Sequence, residues 1–199
     1  MALLSLIPPS WRHARRALLG LAILGLMASA GVSASPLTPL APEAREYQIK
    51  AVFLYNFAEF VEWPPEVFSS SQSPLIIGIL GDDPFGRYID EAVRDEKINN
   101  RPLEIRRFAR IEDIGDCHIL FISRSETGRL DRVLERLNGR SVLTVSDIDE
   151  FSRLGGMIRF VTEMSKVRLK INLRAAKQAH LTISSKLLRP AEIVSMRGL

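Results

Sequence analysis

The chain is poor in the side chains that carry redox and metal chemistry. Its 199 residues hold one cysteine and three histidines. A single cysteine, Cys117, excludes an internal disulfide. It opens the apolar run Cys117 to Ile122 and reads as a small buried hydrophobe rather than a reactive thiol. Its neighbour His118 alternates to the opposite face of the same expected strand, so the two cannot form a nucleophile–base pair. Nucleotide fingerprints are missing as well. Gly81-Asp82-Asp83-Pro84 follows an apolar strand, where a phosphate loop would sit. It lacks the dinucleotide-binding glycines and the Gly-Lys-Ser/Thr of a P-loop, and its carboxylates would repel a phosphate. Two carboxylates are also few for a divalent cation. The expected role is capping, with Asp83 as N-cap and Pro84 as the first helical residue. No nucleophile elbow or paired-histidine zinc motif occurs. The reading is a non-catalytic chain that needs no metal or cofactor.

An excess of either charge is lacking too. The formal net charge of +4 rests on the first 34 residues, which hold Arg12, Arg15 and Arg16 and no acid. Without them the remainder has 24 basic against 23 acidic side chains. A near-neutral domain gives no case for nucleic-acid binding. The three arginines precede an apolar run, Ala17 to Met27, too short for a membrane span. Small-residue sites follow at Ala30 and Ala34. This order predicts a cleaved export signal over residues 1–34. The alternative is an uncleaved anchor, because Leu18 to Ala34 stays fairly apolar. Residues 35–45 read as a linker and 46–199 as one domain, with 46% apolar residues to build its core.

Within the domain, helical and strand periods alternate. A long helix is expected from Pro42-Glu43 to Trp63-Pro64-Pro65, where two prolines stop it. Tyr47, Ala51, Leu54, Ala58 and Val61 form one stripe; Ile49, Phe53, Phe57 and Phe60 form a second. So little polar face remains that the helix needs cover on more than one side, from the core or from a second copy of the chain. Leu75 to Leu80 and His118 to Ser123 read as buried strands. Between and beyond them come a helix ending near Asp95, a strand at Leu103 to Phe108, a helix at Ser125 to Leu137 and a strand at Val142 to Val145. A helical turn at Asp147 to Leu154 leads to a hairpin that turns at Met164-Ser165. Ala175 to His180 reads as a helix and Leu181 to Ser184 as a short strand. A final helix is expected to kink near Arg189, before Pro190. The fold class is α/β, a single layered domain with a mixed β-sheet flanked by helices and a C-terminal β-hairpin.

Two places suggest binding. On the second hairpin strand Val167, Leu169, Ile171 and Leu173 alternate with Lys166, Arg168, Lys170 and Asn172. The stripe Lys166, Arg168, Lys170 is either a solvated edge blunted against stray pairing or a docking surface for an acidic partner. Glu62 and Trp63 place a charge and an indole at the end of the first helix, where the ring either closes the core or offers a stacking surface. Ser184 and Ser185 can supply donors or cap the last helix, Ser185 being the expected cap. A pocket at Trp63 for a small molecule is the alternative function.

Ile49-Lys-Ala-Val-Phe-Leu-Tyr-Asn-Phe-Ala, Gly81-Asp-Asp-Pro-Phe-Gly86, Cys117-His-Ile-Leu-Phe-Ile-Ser123, Gly155 to Leu173 and Ile183-Ser-Ser-Lys-Leu-Leu188, in that order, resemble the YfiR family from about Glu46 to Val194. The resemblance implies a periplasmic, non-catalytic regulator. It implies an inner-membrane partner of the diguanylate cyclase type, whose periplasmic sensor region is bound and held inactive. Cyclic-di-GMP signalling and biofilm formation would fall. Some members carry paired cysteines; this chain has only Cys117.

Overall fold

The computed structural model describes residues 42–194. The expected export signal and the start of the linker lie outside the described residues. The first helix, α1 (Pro42–Phe60), starts at the expected Pro42. It stops before Trp63. The chain becomes extended at β1 (Val61–Glu62) and pairs antiparallel with β9 (Thr182–Ile183). Tertiary pairing ends the helix three residues before the prolines can.

Five parallel strands form the centre: β2 (Leu75–Leu80), β4 (Arg101–Phe108), β5 (Ile119–Ile122), β6 (Leu143–Ser146) and β7 (Ile158–Glu163). They lie in the order β4-β2-β5-β6-β7, the doubly wound arrangement in which chain direction reverses beside the first strand. The two-residue β3 (Lys97–Ile98) flanks β4. On the other side β8 (Lys166–Ile171) pairs antiparallel with β7, making the sheet mixed. The hairpin turns at Met164 and Ser165, both in the left-handed region with φ of 48° and 59°. Two such residues make the tight turn whose twist matches the strands.

Alternation along β2 and β5 divides two apolar layers. Ile76, Leu80, Leu120 and Ile122 pack with Cys117, Phe151 and Leu130, Val133 and Leu137 of α3 (Leu130–Leu137). On the other face Phe57 of α1 stacks on Phe160 of β7 at 5.8 Å, and Phe121 meets Phe85 edge-on at 4.7 Å. The first helix is therefore covered mostly by its own domain; Ile49 stays exposed on it.

Local readings are corrected in several places. Asp83 does not cap a helix. Its Oδ1 accepts from the amides of Phe85 and Gly86 in a turn, and α2 (Arg87–Val93) starts after Gly86. The segment expected as a helix from Ser125 opens as a 3-10 turn (Arg124–Arg129). Beyond α4 (Leu173–Gln178), α5 (Ser185–Leu188) is capped by Ser184, whose hydroxyl accepts from Lys186 N at 3.3 Å, not by Ser185. The chain does not kink there and continue as helix. It leaves α5 at Arg189 and adds β10 (Glu192–Ile193) parallel to β8. So β8 is not the outermost strand along its whole length: β10 pairs with Lys170 and Ile171, and Lys166 to Leu169 keep an open edge among the described residues.

Candidate functional site

Parallel sheets bind ligands beyond the carboxyl ends of their strands. At the reversal point, between β2 and β5, the space is closed. Gly81, at φ 85°, lies so close to Ser125 and Glu126 that a Cβ there would meet Ser125 Oγ at 2.3 Å. Ser125 Oγ accepts from Asp82 N at 3.0 Å, and Asp83 is engaged by Arg107 at 2.8 Å.

One strand further along, the sheet is open. A cleft of about 330 Å³ is lined by Glu43, Glu46 and Tyr47 of α1, by Arg124 after β5, by Asp147 and Asp149 after β6, and by β7 from Arg159 to Thr162. Behind it Lys50 is buried, 1% exposed, and its ammonium lies 2.6 Å from both Glu46 Oε1 and Asp147 Oδ2. Tyr47 donates to the same Asp147 oxygen at 2.9 Å, and Lys50 sits 4.4 Å from the centre of its ring. Arg124 Nε approaches Asp147 Oδ1 at 3.3 Å from outside. Arg159 pairs with Asp149 and, more loosely, with Glu150.

The electrostatics follow from these contacts. Burial favours a neutral Asp147, but the hydrogen bonds from Lys50 and Tyr47 and the Arg124 charge outweigh it and hold the carboxyl below its usual range. Glu46 is held down in the same way by Lys50 and Thr162, against a smaller burial. Burial and the Asp147 charge push the Tyr47 phenol up, so it stays a donor. The cleft is thus a fixed array of charges tying the start of α1 to the strand ends.

None of these residues belongs to the binding set expected from sequence. A signal existed: Lys50 sits between two apolar stripes on a helix with little polar face, so its charge had to find a buried partner. The partner, Asp147, is 97 residues away, and no local pattern marks it.

The expected residues fall in two other places. Trp63 lies at the opposite end of β5. Its indole N–H donates to the His118 carbonyl at 3.1 Å and its ring meets the His118 ring edge-on. His118 stacks on Phe68 at 4.5 Å, and Arg101 covers the other ring of that pair at 3.8 Å. Trp63 is part of this stack and its polar handle is already used. Pairing of β1 with β9 puts Glu62 opposite Thr182, and Ser184 N donates to Phe60 O, so Glu62 and Trp63 lie at one end of this pair and Ser184 and Ser185 at the other. The cations Lys166, Arg168 and Lys170 share the outer face of β8, but with carboxylates among them. Arg168 pairs with Glu163 at 3.3 Å, Lys170 with Glu192 at 3.2 Å, and Lys166 lies opposite Glu163. The stripe is a mixed-charge face, not a block of repelling cations.

A family model described as YfiR/HmsC-like matches residues 47–192. The match runs from the first turns of α1 into β10. A comparison with curated proteins returned no match.

Proposed function

Because the chain belongs to the YfiR/HmsC-like family, we propose that it is an exported, non-catalytic regulator of the periplasm. It binds the periplasmic sensor region of an inner-membrane diguanylate cyclase and holds the enzyme inactive, so cyclic-di-GMP signalling falls. The family match over residues 47–192 carries this reading; it covers the parallel strands, both apolar layers and the cleft apart from Glu43 and Glu46. Export rests on the order of basic, apolar and small residues before Ser35. A mature chain starting at Gly31 or Ser35 is the expected product, read by intact mass.

The docking surface is the outer face of β8 with Lys166, Arg168 and Lys170, next to the open edge of the same strand. Each cation already has a carboxylate neighbour, so exchange for a partner's carboxylate adds little affinity, roughly 0–1 kcal/mol per exposed pair. The effect falls on association rate and its dependence on salt. Glu62 and Trp63 at one end of the β1–β9 pair, and Ser184 and Ser185 at the other, are a second place for contact. A second copy of the chain is a further candidate partner at the open edge. Light scattering at micromolar concentration reads this; a strictly monomeric mass removes it.

The test is capture of inner-membrane proteins by the mature chain, read by mass spectrometry. A membrane protein carrying a cyclase domain is expected. Recovery of a solute transporter instead would favour a small-solute-binding protein and overturn the regulator reading.

A further inference from the structure

We propose that the open edge of β8, Lys166 to Leu169, takes up an extended segment of a partner protein in which acidic and apolar residues alternate, bound as an added strand. The inference rests on the reading above that the partner docks at β8, and it names the mode. The hairpin fixes which backbone groups look out from the edge. Glu163 and Lys166 flank its turn as an opposed pair, and Asn172 N donates to Met157 O, so the even-numbered residues of β8 bond to β7. Ile171 points the other way, its carbonyl accepting from Val194 N at 2.9 Å, and Val167 and Leu169 share its direction. Because β10 reaches back only to Lys170, the N–H and C=O of Val167 and the N–H of Leu169 have no strand beside them among the described residues. The open stretch is about 13 Å long. β10 cannot lengthen to close it. It runs parallel to β8, away from Lys166; Pro190 before it has no N–H to donate, and Ala191 N is committed to Leu188 O.

Side-chain chemistry selects the occupant. Leu169 lies opposite Phe160, on the sheet face that Phe57 of α1 covers. Ile49 lies on that side of α1, between Glu46, which bonds to Thr162, and Phe53, which meets Phe160, and it is 45% exposed. Residues of an added strand that point to this face are therefore apolar. Those that point to the other face stand beside Lys166 and Arg168. One carboxylate serves both cations: Glu163 pairs with Arg168 at 3.3 Å and only lies opposite Lys166, which forms no ion pair among the described residues. Across strands, opposite charges attract and like charges repel. A second copy of the chain is disfavoured on that ground. Paired antiparallel about Val167, it would set Lys166 against the other copy's Arg168 twice over. Centred on Arg168, it would set that residue against itself and run into β10. A segment with acids at the solvent-facing positions meets both cations with opposite charge.

Amide hydrogen exchange of the mature protein, read by NMR at low salt, tests the mode without any cyclase. In the free protein the amides of Val167 and Leu169 should exchange faster than those of Arg168 and Lys170, which bond to β7. The probes are two end-blocked peptides, Glu-Val-Glu-Val-Glu and Lys-Val-Lys-Val-Lys. The acidic peptide is expected to bind saturably and to slow exchange at Val167 and Leu169 about tenfold. The basic peptide should bind about tenfold more weakly, since two cross-strand pairs change sign. Lys166→Gln together with Arg168→Gln, both at exposed positions, should bring the two peptides within about threefold of each other while the thermal midpoint stays near that of the parent. No slowing at these two amides, equal affinity for the two peptides, or undiminished discrimination by the double variant would overturn the proposal. Slowing that grows with protein concentration in the absence of peptide would also overturn it, by putting a second copy at the edge. Should the double variant fail to fold, the two peptides on the parent decide the same point. Recovery of a cyclase without peptide binding sinks the added strand alone; peptide binding without recovery of a cyclase sinks only the cyclase as partner.

Discussion

Replacing Lys50 by Met keeps the aliphatic stem and removes the charge that holds α1 to the strand ends. The ammonium has two carboxylate contacts at 2.6 Å and is 1% exposed. Its loss leaves Asp147 buried with only Tyr47 and Arg124 near it. Breaking a buried pair from one side costs about 3–5 kcal/mol, because the remaining charge stays desolvated. Domains of this kind are stable by about 5–15 kcal/mol, so the loss is a large fraction of the whole. In urea, with a slope of about 2 kcal/mol per molar, Lys50→Met should lower the midpoint by roughly 1.5–2.5 M. Adding Asp147→Asn removes the orphaned charge while leaving an acceptor for Tyr47. The double variant should then be less destabilised than the two single losses added together, because the pair is coupled. A Lys50→Met variant within about 1 kcal/mol of the parent would show that the network does not anchor the helix.

Three further outcomes are expected. Burial lowers the pKa of His118 to about 4, and its Nδ1 accepts from Ile76 N at 3.0 Å, which requires the neutral ring. The unfolded chain takes up a proton near pH 6.5 and the folded one does not until about pH 4. Stability is therefore full above that window and falls as pH drops through it, by at most about 3 kcal/mol. Denaturation at several pH values reads the slope, which His118→Phe should flatten. Asp147 and Glu46, with depressed values, add a second loss only below the ordinary carboxylate range. Met164 and Ser165 occupy left-handed backbone, so Asn-Gly in their place should stabilise the hairpin by up to about 1 kcal/mol in a thermal melt; destabilisation would contradict the turn. Burial raises the Cys117 thiol to about 11, so a thiol reagent at pH 7 should label the native protein far more slowly than the unfolded chain.

What could be read from sequence divides along a physical line. The buried strands Leu75–Leu80 and Ile119–Ile122, the hairpin turn at Met164-Ser165 and the amphipathic α3 declare themselves through local period and turn chemistry. The two-residue strands divide: β9 falls within the expected strand Leu181 to Ser184, whereas β1 and β10 exist only through pairing with distant partners. The helix end at Phe60 was misplaced for that reason: Val61 and Glu62 keep helical spacing but pair with Ile183 and Thr182. The binding set suffers the same way. The alternation of Lys166, Arg168 and Lys170 is visible, whereas Glu192, which neutralises Lys170, arrives from an unforeseen strand. Lys50 was visible as an oddity in an apolar helix, but Asp147 and Arg124 meet it only after the sheet has formed.

The proposed repression of a membrane diguanylate cyclase by contact with the mature chain has a direct readout. Cyclic-di-GMP synthesis by inner-membrane vesicles, titrated with purified mature protein, tests it most directly. The account predicts a saturable fall in synthesis that Lys166→Gln, Arg168→Gln and Lys170→Gln together shift to higher protein concentration at low salt. Synthesis that stays constant as the protein is added to saturation would contradict it.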